Sequence, residues 1–291
     1  MPKFDLASKV NSYKGLNELL GVDPESEIQY LDPLDLNDFP EHPFKPHRGD
    51  KFGKLVESIK LLGIISPIIV RKDGSQTLSG HNRKNAAIAA GLTKVPCIVK
   101  DVDYDTAAII VVDSNFQQRD DLLVSEKAYG YKMKLEAMQR KGKHDDSVGL
   151  KSRDIVGQEY GDSGSQVQRY LRMTCLIEAL LALVDEAKIA FNVAVEISYL
   201  NKDEQELLSI FLNDNDINIK LSQAAELKYY SKNGKLDIVQ MKKILVSQVP
   251  GKPAFYKLPA NSFSKYFFDK DADEKQVLDV IEKALRQYFT K

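Results

Sequence analysis

The chain has 291 residues, with 41 Lys and Arg against 42 Asp and Glu, and its formal net charge is −1. This balance argues against a protein that coats nucleic acid with its whole surface, but it allows a local basic patch. No apolar run reaches the roughly eighteen residues of a membrane-spanning helix, and the first residues lack the apolar stretch of a secretory signal. We therefore expect a cytoplasmic protein without a membrane partner.

Length and cysteine content add two expectations. A chain of this length is expected to form two or three domains. Cys97 and Cys175 lie far apart in the sequence without metal-ligand spacing, so we expect buried free thiols rather than a disulfide. The four histidines form no ligand motif.

The first predicted elements form a compact α/β pattern. Asp73-Gly74 is typical of a tight hairpin turn, because such residues readily adopt positive φ. Gly80 opens a helix that Gly91 ends, and Asp105 can cap the next helix. We predict strands at 27–31, 67–71, 76–79 and 95–99, and helices at 52–62, 80–90 and 105–112.

The remainder of the chain is predicted to be helical. Helices are expected from Val124 to about Val246, interrupted by a charged, glycine-containing connection at 142–149. The two prolines of the segment 250–253 indicate a linker. A last amphipathic stripe either forms a dimer contact or packs on its own chain, and it consists of Val277, Ile281, Ala284, Leu285 and Tyr288.

A helix-turn-helix is predicted at the centre of the chain. Residues 152–160 form a first short helix, Gly161 takes a left-handed conformation in the turn, and 164–174 form the second helix. The window 132–173 holds nine basic and six acidic residues, and 163–176 holds no acidic residue that would repel phosphates. Glutamine suits adenine and arginine suits guanine in the major groove, whereas a solvated helical hairpin is the alternative interpretation. The predicted DNA contacts are Ser163, Ser165, Gln166, Gln168, Arg169 and Arg172.

The segment Gly80-His81-Asn82-Arg83-Lys84 joins a strand to a helix. A helix N-terminus offers free N–H groups and a partial positive charge, which suit a phosphate. Gly80 would allow close approach of the backbone, and Arg83 and Lys84 add positive charge. The alternative interpretation is an ordinary helix start with a solvated basic turn.

A second polar motif runs from Asp113 to Arg119. Asp113 and Asn115 offer hard oxygen ligands suited to magnesium, and Arg119 could meet a phosphate. The alternative is a polar loop between helices.

The order of these motifs resembles that of the ParB-type partition proteins, especially those of plasmids and integrative elements. The resemblance covers roughly residues 25–245 and rests on Pro-Ile-Ile-Val at 67–70, Gly-x-x-Arg-x-x-Ala at 80–86 and Asn-Phe-Gln-x-Arg at 115–119, followed by the helix-turn-helix. It implies that the N-terminal domain binds CTP with magnesium and hydrolyses the CTP slowly. The nucleotide site would comprise Gly80, His81, Asn82, Arg83, Lys84, Asn115 and Arg119, with magnesium at Asn115 and Asp113.

The resemblance also implies a set of partners. The family's helix-turn-helix reads a palindromic, centromere-like duplex, and its N-terminal domains close as a homodimeric sliding clamp. A ParA-type ATPase usually accompanies it, and such a protein would lie on the nucleoid or on a plasmid.

The chain departs from the family pattern in the nucleotide motifs. His81 and Asn82 replace a Glu and an Arg, Ser114 replaces a Glu, and one residue is added before Arg119. These changes weaken the case for CTP turnover more than the case for nucleotide binding. The alternatives are a DNA-binding regulator without nucleotide control and a ParB-like nuclease. The related sulfiredoxin activity is not expected, because it needs a cysteine beside the phosphate loop and residues 80–83 contain none.

The predicted fold class is α+β. A small ParB/sulfiredoxin-like domain at 25–118 would follow a tail at 1–24, and an all-helical helix-turn-helix domain would occupy 119–248. A linker and the amphipathic segment would complete the chain at 249–291.

Overall fold

The computed structural model describes residues 27–72, 75–142, 152–215, 218–246, 280–284 and 287–288. The chain divides into two units, Met1–Val246 and Ser247–Lys291. In the second unit, 280–284 are helical, with Ile281 half-buried and Ala284 and Tyr288 exposed. Val277 and Leu285 of the predicted stripe lie outside the described residues. All elements named below belong to the first unit.

A five-stranded sheet organises the N-terminal part in the order β1-β5-β3-β4-β2. The predicted hairpin is confirmed, because β3 and β4 pair antiparallel, although its turn residues Asp73 and Gly74 lie outside the described residues. Strand β5 runs parallel to β3 and antiparallel to β1. The strands are β1 (Ile28–Leu31), β2 (Asn37–Asp38), β3 (Ile68–Arg71), β4 (Gln76–Ser79) and β5 (Val95–Lys100).

Helices cover both faces of this sheet. They are α1 (Gly49–Leu62), α2 (His81–Ala90) and α3 (Tyr104–Gln118). Successive side chains of a strand point to opposite faces, so the apolar run of β3 can be buried on both. Ile68 and Val70 belong to the core that α1 and α2 line, whereas Ile69 belongs to the core that α3 lines.

The bounds predicted for α3 were wrong at both ends. Asp103, rather than Asp105, caps the helix, and its carboxylate accepts a hydrogen bond from the backbone N–H of Thr106 at 2.7 Å. The helix continues past Val112 to Gln118, because no Gly or Pro interrupts it. Residues 113–118 are therefore helical and do not form a polar loop.

The rest of the unit is helical, which confirms the α+β class. The region predicted as a helix-turn-helix packs around Tyr131, Val156 and Val167. The later helices share a separate apolar core. Both cysteines are free, but only Cys97 is buried, since Cys175 is half-buried. The helices are α4 (Val124–Arg140), α5 (Ser152–Glu159), α6 (Gly164–Met173), α7 (Glu178–Asp185), α8 (Phe191–Ile197), α9 (Lys202–Asn215), α10 (Leu221–Lys232) and α11 (Ile238–Val246). None of the described helices is long and apolar enough to cross a bilayer.

Candidate nucleotide cleft and DNA-binding face

A cleft of about 420 Å³ opens where the start of α2, the end of α3 and the loop after β2 meet. We call it the α2 cleft. Gly80, Asn82 and Arg83 line it from the start of α2, and Asn115 and Arg119 line it from the end of α3. The fold therefore brings the two polar motifs of the sequence to one place.

Gly80 makes the turn that starts α2 inside this cleft. Its φ of 104° and ψ of 22° lie in the left-handed region, which glycine adopts without strain. The first turn of α2 contains no acidic residue. Because the first N–H groups of a helix have no acceptor within it, this end offers backbone donors and a partial positive charge to an anion.

Arg83 adds a fixed positive charge to the same wall. Its Nη1 donates to the carbonyl oxygen of Ser66 and, at 2.9 Å, to that of Pro67. A Cβ atom on Gly80 would lie 3.1 Å from Nη2 of Arg83, so the glycine lets the guanidinium fold over the helix start. Burial lowers the pKa of Arg83, yet arginine starts so high that it stays charged.

Lys84 does not line the α2 cleft, contrary to its predicted role. It is buried, forms an ion pair with Asp38 and donates to the carbonyl oxygen of Leu36 at 3.2 Å. One step along a helix rotates a side chain by about 100°, which turns Lys84 away from the wall that Arg83 occupies. The contacts of Lys84 hold β2 against α2.

Asp113 is also absent from the cleft. Its carboxylate accepts hydrogen bonds from Lys134, at 2.7 Å, and from the hydroxyl of Tyr160. Asn115 does line the cleft, where its Nδ2 donates to the carbonyl oxygen of Val111 at 2.9 Å. Positions two apart in a helix differ by about 200°, so the predicted pair of magnesium ligands cannot face one ion.

The protein oxygens that magnesium could use are therefore few. Among the described residues, no group of three or more His, Cys, Asp or Glu side chains is placed to hold a metal ion. Magnesium commonly keeps several waters and binds through substrate phosphates with one or two protein ligands. The amide oxygen of Asn115 fits that limited role.

Arg119 reaches the cleft with its charge already paired. Its Nη1 lies 3.1 Å from Oε1 of the fully buried Glu126 and 3.3 Å from the carbonyl oxygen of Lys45. The same carboxylate accepts from the backbone N–H groups of Lys45 and Leu123, at 2.6 and 2.8 Å. Arg119 thus joins the end of α3 to the start of α4, and a phosphate would share it with Glu126.

The predicted helix-turn-helix is formed by α5 and α6. Gly161 has a φ of 76° in the turn, and Oγ of Ser163 caps α6 by accepting from the N–H of Gln166 at 3.1 Å. Asp162 donates its backbone N–H to the carbonyl oxygen of Gly157 at 2.8 Å, which brings the turn close to α5. The outer face of α6 is open: Ser163, Ser165 and Gln168 are exposed, and Gln166, Arg169 and Arg172 are half-buried.

The two arginines of α6 differ in their surroundings. Arg169 hydrogen-bonds to the side chains of Gln166 and Asn192, and its guanidinium lies 5.1 Å from the ring centre of Phe191. Arg172 donates to the hydroxyl of Ser198 at 3.1 Å and to its carbonyl oxygen, and it lies 3.9 Å from the ring centre of Tyr199. Arg172 is held against the end of α8, which makes it a poorer candidate for base contact than Arg169.

The comparisons with known proteins bear on the whole arrangement. Residues 22–116 match the model of the ParB N-terminal domain. In this part the chain is similar to the ParB-type proteins. It is 26% identical to a probable chromosome-partitioning protein ParB of Rickettsia conorii over 75% of this chain and 72% of the relative. It is 24% identical to a nucleoid occlusion protein of Listeria monocytogenes over 75% of each chain. It is 29% identical to the chromosome-partitioning protein Spo0J of Thermus thermophilus over 57% of this chain and 58% of the relative.

Besides the predicted His81, the α2 cleft contains two histidines that were not predicted, His42 and His47. His42, His47 and His81 all line it, although they come from two separated segments. The rings of His42 and His81 have centres 3.8 Å apart. Burial, and then the neighbouring His42, lower the pKa of His81 to about 3. The one available signal was His81 itself, which stands where the family's usual box has a Glu.

Ser114 occupies the other position at which the usual ParB-type motif has a Glu. It is buried, and its hydroxyl donates to the carbonyl oxygen of Val111 at 3.1 Å. A serine in that state supplies no carboxylate to activate water. The α2 cleft is thus better equipped to hold an anion than to hydrolyse one.

Proposed function

We propose that this chain binds a specific DNA site through α6 and acts in the segregation of a chromosome, a plasmid or a mobile element. The supporting observation is the open, acid-free face of α6, on which Gln166, Gln168 and Arg169 can reach base edges. Residues at the start of the second helix of such a motif contact bases, while phosphate contacts set its position. The names of its relatives agree with this role.

The α2 cleft is proposed to bind CTP with magnesium. The start of α2 at Gly80 and the charge of Arg83 would hold phosphates, and Asn115 would contribute to a magnesium ion. Hydrolysis would be slow, because no carboxylate replaces the missing Glu at Ser114. Bound magnesium would offset the charge of the phosphates, while the protein residues position them.

The active form is proposed to be a homodimer on a palindromic duplex, because a two-fold site calls for a two-fold protein. Nucleotide binding would close the N-terminal parts of the dimer around DNA as a clamp. A ParA-type ATPase would be its partner in the cytoplasm, at the nucleoid or a plasmid. These statements rest on the family resemblance.

Replacing Arg83 by alanine tests the nucleotide assignment. Loss of a charged contact to phosphate is expected to weaken CTP binding by about 10- to 100-fold, while initial DNA binding stays largely unchanged. CTP affinity is measured by calorimetry with and without a duplex selected from random sequence. Arg83→Lys, which keeps the charge, should bind CTP with intermediate affinity.

Arg140→Ala serves as the matched control, because Arg140 pairs with Asp105 outside the cleft. Both variants are first compared with the unaltered chain by thermal unfolding. CTP affinity that is equal in the unaltered chain and in folded Arg83→Ala would refute the assignment.

The second candidate function is a DNA-binding regulator without nucleotide control. His81 and Ser114 favour it, because both replace residues of the family's nucleotide motifs. Selection of a DNA site by a chain that binds no nucleotide at millimolar concentration would support this alternative and exclude the clamp.

A further inference from the structure

Unpaired imidazole nitrogens collect in the α2 cleft. His42, His47 and His81 each have an Nε2 atom that is buried and has no hydrogen-bond partner among the described residues. Buried polar atoms normally have partners, since leaving one unpaired costs stability. Three such atoms in one cleft indicate that a polar ligand completes it.

The hydrogen bonds of His42 determine what kind of ligand its ring can meet. Nδ1 of His42 lies 3.0 Å from the carbonyl oxygen of Phe44. A carbonyl only accepts, so Nδ1 carries the proton and the neutral ring has a lone pair on Nε2. Phosphate oxygens also present lone pairs. The ring can therefore donate to a phosphate only after Nε2 gains a proton.

We propose that His42 and His81 form a proton-linked phosphate contact, which takes up a proton when a triphosphate enters the α2 cleft. This inference rests on the nucleotide function proposed above, and it gives a role to His81, which stands where the family's box has a Glu, and to its neighbour His42. In the free protein the pair is neutral. In the complex, one imidazolium donates to a phosphate oxygen, and the proton comes from solvent.

The charges around the pair explain why it stays neutral without a ligand. Asp38, 4.0 Å from Nε2 of His81, is already paired with Lys84, and Arg83 lies on the same helix. Around His42, the carboxylates of Asp38 and Glu126 favour protonation and Arg119 opposes it, but Glu126 is already paired with Arg119. The facing carboxylates are thus neutralised by cations, so burial has the larger effect and lowers the pKa of both histidines. A triphosphate would bring unpaired negative charge to the same place.

The direction of the pH effect follows from these shifts. Burial lowers the pKa of His42, and the pKa of His81 is about 3, against 6.5 for an ordinary histidine. Below pH 6.5 the unfolded chain therefore binds more protons than the free folded chain, so the free protein loses stability as pH falls from about 7. Bound triphosphate raises both pKa values, so its stabilising effect should grow over the same interval.

Calorimetric titration of the full chain with CTP and magnesium tests the proposal. The selected duplex is present, and each pH is measured in two buffers of different ionisation enthalpy. We expect uptake approaching one proton per CTP near pH 6.5, and an affinity that rises by up to about tenfold per unit as pH falls from 8 to 6. Inorganic tripolyphosphate should show the same uptake, because the contact is to phosphate and not to the base.

The double variant His42→Gln/His81→Gln should bind CTP without this uptake and with a nearly flat pH profile. The proton uptake measured with this double variant also gives the contribution of CTP's own protonation, which is the same in every titration. Arg140→Ala is again the control, because Arg140 pairs with Asp105 outside the cleft, and it should retain the uptake. CTP binding without proton uptake, or uptake that persists in the double variant, would overturn the inference while leaving nucleotide binding intact. Absence of CTP binding by the unaltered chain would overturn the proposed nucleotide function as well.

Discussion

Replacing Lys134 by methionine is expected to lower the free energy of unfolding by about 3–5 kcal/mol, the cost of removing one partner from a buried ion pair. The ammonium of Lys134 is buried, donates to Asp113 at 2.7 Å and to the hydroxyl of Tyr160 at 2.7 Å, and pairs with Glu159. Methionine retains most of the apolar volume. It leaves the largely buried carboxylate of Asp113 without its cation.

Lys72→Met is the matched control, because the ion pair of Lys72 with Asp101 lies at the surface. The side chains of Lys72 and Asp101 are 65% and 80% exposed. An exposed pair contributes at most about 1 kcal/mol. Urea unfolding of both variants, followed by far-ultraviolet circular dichroism, gives the comparison. Equal losses in the two variants would mean that the Lys134 cluster does not stabilise the packed helices.

The residues around Lys134 also connect three helices to one another. Asp113 lies on α3, Lys134 on α4, and Glu159 and Tyr160 at the end of α5. Phe116, next to Asn115, stacks against Tyr160 with ring centres 4.5 Å apart. A helix that lines the cleft is thus packed directly on the first helix of the helix-turn-helix.

Aromatic contacts extend this connection to α6. The ring centre of Phe116 lies 4.9 Å from that of Tyr131, which lies 5.6 Å from that of Tyr170 on α6. Packed interiors transmit displacement because they contain little free volume. The α2 cleft and the outer face of α6, proposed above to hold nucleotide and DNA, are thus joined by continuous packing through α3, α4 and α6.

Local patterns in the sequence were sufficient for four of the five strands, but not for β2. The hairpin of β3 and β4 and the turn at Gly161 each depend on neighbouring residues, and both were predicted. The end of α3 was not, because polar residues at 113–118 have no sharp stop signal and tertiary packing extends the helix. That error placed Asp113 and Asn115 on a loop, where both could have faced one ion.

The composition of the cleft depends on contacts that no local pattern reports. His42 and His81 are far apart in the sequence, and only the fold brings their rings together. Gly130 is another case: a Cβ atom there would lie 2.5 Å from the ring of Phe116, so this interior helical glycine makes room for the aromatic contacts. Residue types indicated an anion site, but the three-dimensional fold determined which of them face it.

Replacing Gly157 by alanine is expected to impair DNA binding, although Gly157 lies on α5 and not on the outer face of α6. A Cβ atom there would lie 2.6 Å from the backbone oxygen of Asp162 and 3.1 Å from Cγ2 of Val167, so α5 and the turn must separate. Such overpacking costs about 1–3 kcal/mol and shifts α6 relative to the groove. We expect affinity for the selected duplex, measured by fluorescence anisotropy, to fall at least about tenfold.

Gly53→Ala is the control, because Gly53 also lies in a helix but a Cβ atom there meets nothing within 4 Å. Alanine is the better helix former, so this variant should gain about 0.5–1 kcal/mol of stability and keep its DNA affinity. The contrast separates the general effect of alanine in a helix from the close approach at Gly157. Unchanged DNA affinity in a folded Gly157→Ala variant would contradict the packing of the turn against α5, and with it the placement of α6 as the DNA-reading helix.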